Sequence, residues 1–245
     1  MAGEDRHDLS AGGRCAESTS RHLLSRATLP GAPKPRYGSA MEKLILHEDP
    51  VSGNCYKVRL TAAHLGLPLE RRSYDILKGE TRTPDFLARI NSNGRIPVLQ
   101  VGERMIPESN AACFYLADGS PLIPTERFDR ADMLRWMFFE QYSHEPNIAT
   151  LRFWLAFVGE QALGEAQRSQ LTAKREAGNA ALAVMDRHLA ERGFFVGNRL
   201  SLADIALFAY THVAPEGGFD LAPYHHVRAW IGRVAAEPGH AAMAD

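Results

Sequence analysis

A small α/β domain followed by an all-helical domain is the fold class that three features of the sequence predict. Between residues 43 and 106, short apolar β-branched runs alternate with stretches of helical periodicity. The segment Asp118-Gly-Ser-Pro-Leu-Ile-Pro124 then interrupts the pattern with turn residues and reads as a linker. Beyond it, the apolar residues keep helical spacing to the end of the chain.

The elements follow in order. Residues 43–47 (Lys-Leu-Ile-Leu-His) form a compact strand. Residues 48–54 contain Pro50, Ser52, Gly53 and Asn54, which favour turns and helix caps. Residues 55–65 then run helically, with Val58, Leu60, Ala62, Ala63 and Leu65 available for packing and Gly66 at the stop. A second strand fits 69–76, parallel to the first if the helix crosses over. Thr83-Pro84 reads as the cap and first position of a short helix over 85–90. Residues 96–101 and 104–106 pair as a hairpin around Gly102-Glu103, and Glu108-Ser109 opens a helix over 110–117. The order β-α-β-α-β-β-α is the thioredoxin-like arrangement.

In the second half, helices are expected over 127–142 (Met133, Leu134, Met137, Phe138), 148–163 (Phe153, Trp154, Phe157) and 168–191 (Leu171, Leu182, Met185, Leu189). Ser201-Leu-Ala-Asp204 is a capping-box-like start for an apolar helix over 202–213, and residues 223–236 close the set around Trp230. The domain bounds are therefore 41–118, a linker over 119–126, and 127–245. Residues 1–40, rich in Gly, Ala, Ser, Arg and Pro with few scattered leucines, are expected to be a disordered extension. They hold neither a secretory apolar core nor the acid-poor composition of a transit peptide. Met41 immediately before the first strand makes a misassigned start a hypothesis; mass spectrometry showing natural protein that begins at Met1 refutes it.

Composition narrows the function classes. A formal net charge of −1 gives no electrostatic reason to expect nucleic acid as a partner. Cys15, Cys55 and Cys113 are an odd number at wide spacing, which fits neither a disulfide framework nor a zinc site and points to a reducing, cytoplasmic setting. No apolar run approaches the roughly 20 residues of a membrane helix, so no membrane role is expected. No His-Glu-x-x-His, phosphate loop or dinucleotide fingerprint occurs, and no metal is expected.

Gly94 to Ser109 is the most informative stretch. Pro97 cannot donate to a strand ladder and belongs at a strand start, where an Ile96-Pro97 bond suits the cis form. In that form Ile96 presents its backbone N–H and C=O to an extended ligand. Glu108 and Ser109 at a helix N-terminus suit the polar ends of a small zwitterion. The stretch reads as a peptide-binding edge.

Taken in order, the strand, Pro50-Val-Ser-Gly-Asn-Cys55, the helix, Arg95-Ile-Pro-Val-Leu99, Glu108-Ser109 before a helix, and the Ser201–Asp204 cap resemble the glutathione S-transferases from residue 41 to about 236. The resemblance is nearest to the bacterial and theta-like serine or asparagine types, since no tyrosine precedes Tyr56 in the strand-to-helix loop. It implies the cytosolic fold of that family, glutathione as co-substrate, a small hydrophobic electrophile as its partner, a role in detoxification, and a homodimer. Two other readings belong to the same fold: a glutathione-dependent thiol-disulfide oxidoreductase or peroxidase, and a non-catalytic glutathione- or ligand-binding protein.

The resemblance also assigns roles. Conjugation needs a thiolate, yet a free thiol with a pKa near about 8.5 is only a few per cent ionised at neutral pH. Ser52, before the first helix, is the candidate donor to the sulfur, and Asn54 stands where some bacterial members use asparagine. Both residue types also cap helices as a matter of course. Cys55 is the rival nucleophile, because a helix N-terminus lowers a thiol pKa; the competing reading is a small buried residue. Glu108 and Ser109 are expected to bind the γ-glutamyl end, Ile96 and Pro97 the cysteinyl backbone, and Thr81, Arg82 or Arg95 the glycyl carboxylate. Arg152 is a further candidate from the helical domain. Trp136, Phe139, Tyr142, Phe153 and Trp154 are the expected wall of the electrophile pocket, although an aromatic stripe at helical spacing is as often core.

Overall fold

The computed structural model describes residues 42–245; the expected extension over residues 1–40 lies outside them. The first half is a four-stranded sheet in the order β2-β1-β3-β4. Strand β1 (Leu44–Glu48) is fully buried and pairs in parallel with β2 (Glu70–Ser73), as a crossover through helix α1 (Gly53–Leu65) requires. On its other side β1 pairs antiparallel with β3 (Val98–Val101), which turns at Gly102-Glu103 into β4 (Arg104–Pro107). Helix α2 (Pro84–Arg89) is capped by the Thr83 hydroxyl, and α3 (Ser109–Leu116) packs beside α1.

Helix α1 starts at the Ser52 cap and stops at Gly66, whose left-handed backbone (φ 63°) releases the chain towards β2. Most of its first three turns are buried, including Tyr56, Val58 and Leu60, because α1 is clasped between the sheet and the helical half.

Between α3 and α4, residues 117–126 carry no helix or strand. The helical half comprises α4 (Arg127–Phe139), α5 (Glu145–Arg152), the short α6 (Glu165–Arg168), α7 (Leu171–Leu189), α8 (Leu202–Thr211) and α9 (His225–Ala235). Every residue of α8 is buried, and this helix lies against α1, α4 and α9. Trp136, Phe195, Phe208 and Trp230 form the aromatic part of the core around it.

Two stretches differ from the expected regular helices. Glu140–His144 winds as a π-helical turn between α4 and α5. Pro146, at the start of α5, cannot donate to the preceding turn and its ring would crowd a carbonyl there; the wider π turn relieves both. Phe153–Val158 is a second π turn, and the helix expected to reach residue 163 ends instead at Gly159, whose φ of 85° no helical residue adopts.

Candidate active site

A cleft of about 520 Å³ opens between the two halves of residues 42–245. Its floor is the loop from Asp49 to Ser52 together with Thr81, Arg82, Gly94, Arg95 and Ile96. Its helical wall is Glu145, Ala149, Thr150, Arg152, Phe153, Trp154, Phe157 and Tyr210, with Ile76 and Leu77 at the rim.

The floor is held by short local bonds. Asp49 accepts the Val51 N–H on its side chain (3.1 Å) and the Ser52 N–H on its carbonyl (3.0 Å), a tight Asx-type turn. Ser52 has an extended backbone and is half-buried; its Oγ accepts the Cys55 N–H at 3.4 Å and lies against the Cys55 thiol. Cys55 itself is fully buried beneath this turn, and its sulfur accepts the Asp49 N–H at 3.4 Å. Burial pushes its thiol up to about 12, which outweighs the hydrogen bonds from Ser52 and Asp49. A thiol that is neutral and sealed from the cleft is a poor nucleophile, so the geometry disfavours Cys55 for that role.

Asn54 stands one turn position deeper than Ser52. Its Nδ2 donates to Glu145 (3.2 Å), its Oδ1 accepts the Ser109 hydroxyl (3.2 Å), and its backbone N–H donates to the Tyr210 hydroxyl (3.2 Å). The amide thus ties α1, the start of α3 and the helical half together. Tyr210 comes this close because residue 53 is glycine: a Cβ there would lie 2.5 Å from its ring. Beneath them, Lys57 and Glu140 form an ion pair at 2.8 Å with both side chains fully buried. Asn110 and Gln141 donate to the other Glu140 oxygen at 3.3 and 2.8 Å. Such a pair needs these extra donors to offset its desolvation.

The Ile96-Pro97 bond is cis, and Ile96 stands just before the ladder, whose first rung on β3 is Val98. Arg82 donates to the Asn93 carbonyl (3.0 Å) and lies over Gly94, where a Cβ would meet its guanidinium at 2.6 Å. Thr81 is buried and Arg95 exposed, both on the cleft. Glu108 has φ 73° and ψ 115°, a backbone region sparsely used by non-glycine residues, and its side chain is exposed. Ser109 is buried behind it.

The structure does not bring all the expected residues to one place. Ser52, Thr81, Arg82, Arg95, Ile96, Arg152, Phe153 and Trp154 share the cleft. Glu108 faces a separate groove between α3 and α4, lined also by Ile106, Phe114 and Phe138. Three of the expected pocket aromatics lie elsewhere. Trp136 is 1% exposed and packs edge-on to Phe139 (5.1 Å) and Phe195 (4.6 Å), so both it and Phe139 belong to the helical core. Tyr142 is 88% exposed on the outer surface of the first π turn. Trp136 and Phe139 lie on the face of α4 that packs into the helical core, and the cleft wall comes instead from α5, the second π turn and Tyr210 of α8. Phe157 and Tyr210 on that wall are not among the expected pocket residues; Phe157 recurs four residues after Phe153, and Gly53 is the one hint of a close neighbour.

Comparison with known proteins defines the class. Residues 43–118 match the model "Glutathione S-transferase, N-terminal domain" and residues 138–238 match "Glutathione S-transferase, C-terminal domain". The crystal structure of a glutathione S-transferase from Pseudomonas fluorescens superposes with a TM-score of 0.77 at 46% identity, covering 82% of this chain and 99% of that one. A glutathione S-transferase from Xanthobacter autotrophicus gives the same TM-score at 39% identity, covering 82% of this chain and 97% of that one. Glutathione S-transferase 2 of Anopheles gambiae is 31% identical over 196 residues, 78% of this chain and 90% of its own length. The chain belongs to the glutathione S-transferase family, and its activity is that of a glutathione transferase.

Proposed function

We propose that glutathione lies along the floor of the cleft, with its cysteinyl sulfur at Ser52 and its backbone paired to Ile96. The observation that carries this reading is the Ser52 hydroxyl: it is half-buried at the cleft and caps α1 at a long 3.4 Å, and its other neighbour is a neutral thiol. A hydroxyl rotor can turn from a weak thiol acceptor to an incoming thiolate, which is a much stronger one. The positive end of α1 adds to the stabilisation. The thiolate then attacks the electrophilic carbon of an acceptor, a C–S bond forms, and the leaving group departs with the bonding pair. Phe153, Trp154 and Phe157 favour an apolar or aromatic acceptor, in keeping with detoxification of small electrophiles.

Ser109, bonded to the Asn54 amide, and the positive end of α3 suit the γ-glutamyl carboxylate; Glu108, which faces the neighbouring groove, suits its ammonium only if the γ-glutamyl end reaches past Ser109 to that side; Thr81, Arg82 and Arg95 suit the glycyl carboxylate. Pro97 shapes the edge. Asn54, with its amide engaged by Glu145 and Ser109, fits a residue that orders the site better than one that donates to sulfur. A homodimer is supported by Phe138 (70% exposed), which lines the groove between α3 and α4 with Ile106, Phe114 and Leu134, an apolar face of the kind dimers cover. A cytoplasmic setting is supported by the two free, buried thiols at Cys55 and Cys113.

An aryl-halide conjugation assay on wild type, Ser52→Ala, Asn54→Ala and Cys55→Ala tests this. Ser52→Ala is expected to lose about 10²-fold in kcat, the scale of one donor to a developing anion, while Cys55→Ala keeps most activity. Loss confined to Cys55→Ala overturns the assignment, and calorimetry without glutathione binding overturns the reading of the cleft.

A further inference from the structure

The loop that carries Ser52 is gripped by arginines at two consecutive carbonyls. From α1, Arg59 donates to the Pro50 carbonyl at 2.8 Å. From the helical half, Arg152 donates its Nη1 to the Val51 carbonyl at 2.7 Å, directly before Ser52. Arg152 is 6% exposed and its own direction is fixed from two sides. Its Nε donates to Glu216 at 2.7 Å, and its guanidinium lies 4.9 Å from the centre of the Phe157 ring. Glu216 sits on a short turn that presses against Arg152 itself: a Cβ on Gly217 would be 2.9 Å from the Arg152 backbone nitrogen.

We infer that Arg152 is a positioning residue for the thiol donor, joining the aromatic acceptor wall to the Ser52 loop through the Val51 carbonyl. The inference rests on the reading of Ser52 given above. The physical logic is that of preorganisation. A hydroxyl stabilises a thiolate only if its oxygen is held at hydrogen-bond distance from the sulfur, and the Val51–Ser52 peptide sets that distance. Without the Arg152 donor the carbonyl turns to water and the peptide gains freedom to rotate. The Phe157 contact gives the same guanidinium a second job: an acceptor seated against that ring packs on the group that holds the donor loop. Arg152 thus acts on the chemistry without touching the sulfur.

The test is a double-mutant cycle on the full chain, with the thiol ionisation of bound glutathione followed by its ultraviolet thiolate absorbance and the pH profile of kcat measured in parallel. Arg152→Met is expected to lower kcat about tenfold at neutral pH, below the roughly 10²-fold that a 1 Å misplacement of a reacting group costs. The KM for glutathione should stay within about twofold. The loss should shrink at alkaline pH, where the thiol ionises without help. Arg152→Lys, which keeps one donor for the Val51 carbonyl, should recover most of the rate; if Arg152→Met does not fold, the smaller alkaline shift of Arg152→Lys carries the test. Combined with Ser52→Ala, Arg152→Met should add nothing further. An additive loss in the double variant, or a pH profile that Arg152 substitution leaves unmoved, overturns the inference while Ser52 stands. If Ser52→Ala itself is silent, the donor reading fails and this inference fails with it.

Discussion

Among the described residues, Ser52 and Ser201 both cap helices, and they do so in opposite ways. Ser201, at the start of α8, is 1% exposed, and its hydroxyl donates to Asp204 at 2.8 Å while its N–H donates to the same carboxylate oxygen at 3.0 Å. The second Asp204 oxygen accepts the Phe195 N–H and the Trp230 indole N–H, both at 2.9 Å. Burial pushes the Asp204 carboxyl up to about 6 and the four donors pull the other way, so the group is charged at neutral pH. Ser52, at the start of α1, faces the cleft with a long bond to Cys55 and a weak sulfur neighbour. The same residue type in the same local role is a saturated structural joint in one place and an under-used donor in the other. What separates them is whether the surrounding groups already satisfy the hydroxyl.

The largest effect expected is at the saturated joint. Asp204→Asn keeps the shape but turns an NH₂ towards donors that need an acceptor. Two buried donors are left unpaired at about 1–3 kcal/mol each, so a total loss of roughly 2–6 kcal/mol is expected in urea unfolding. A change in midpoint corresponding to less than about 1 kcal/mol would mean that α8 is held by packing alone, and the contrast between the two caps would lose its physical basis.

A matched pair of alanine variants sharpens the contrast further. Ser201→Ala removes a buried bond to a charged group and should cost about 2 kcal/mol of stability with little effect on turnover of the folded enzyme. Ser52→Ala should cost about 0.5 kcal/mol, the low end for a cap, yet abolish most conjugation. Measuring unfolding midpoints beside kcat for both variants is decisive. Equal stability losses, or equal activity losses, would show that Ser52 is a cap like any other.

The sequence made the first half of the molecule legible and the second half only in outline. Strand and helix boundaries around Ser52, Ile96 and Ser109 fall within two residues of expectation, because turn residues and caps are local signals. Pro97 announced its own cis bond for the same reason. The Ser201–Asp204 cap was readable from spacing, but its partners Phe195 and Trp230 were not. Trp136, Phe139 and Tyr142 fall outside the cleft wall because helical periodicity shows which residues share a face, not which partner that face packs against. No helical periodicity encodes the Lys57–Glu140 ion pair between residues 83 positions apart.

The smallest effect expected concerns Glu145, the carboxyl of the helical wall that bonds Asn54. Glu145 lines the cleft and accepts the Asn54 amide, far fewer donors than Asp204 receives, and burial raises its pKa against the pull of Lys57. A carboxyl whose folded pKa lies above its unfolded one binds its proton more tightly in the native state. Its contribution to stability is therefore complete below the ordinary carboxylate range and is lost as pH rises through the folded value. Glu145→Gln keeps the acceptor for Asn54 and removes the ionisation. The variant should be more stable than wild type at neutral pH, and the two should converge as the pH falls to the ordinary carboxylate range. Urea midpoints collected across that window read the difference. A variant that is less stable than wild type at neutral pH would mean that the Glu145 charge is held by the cleft as firmly as Asp204 is held by its cap. The under-satisfied character argued for the Ser52 end of α1 would then be confined to the serine alone.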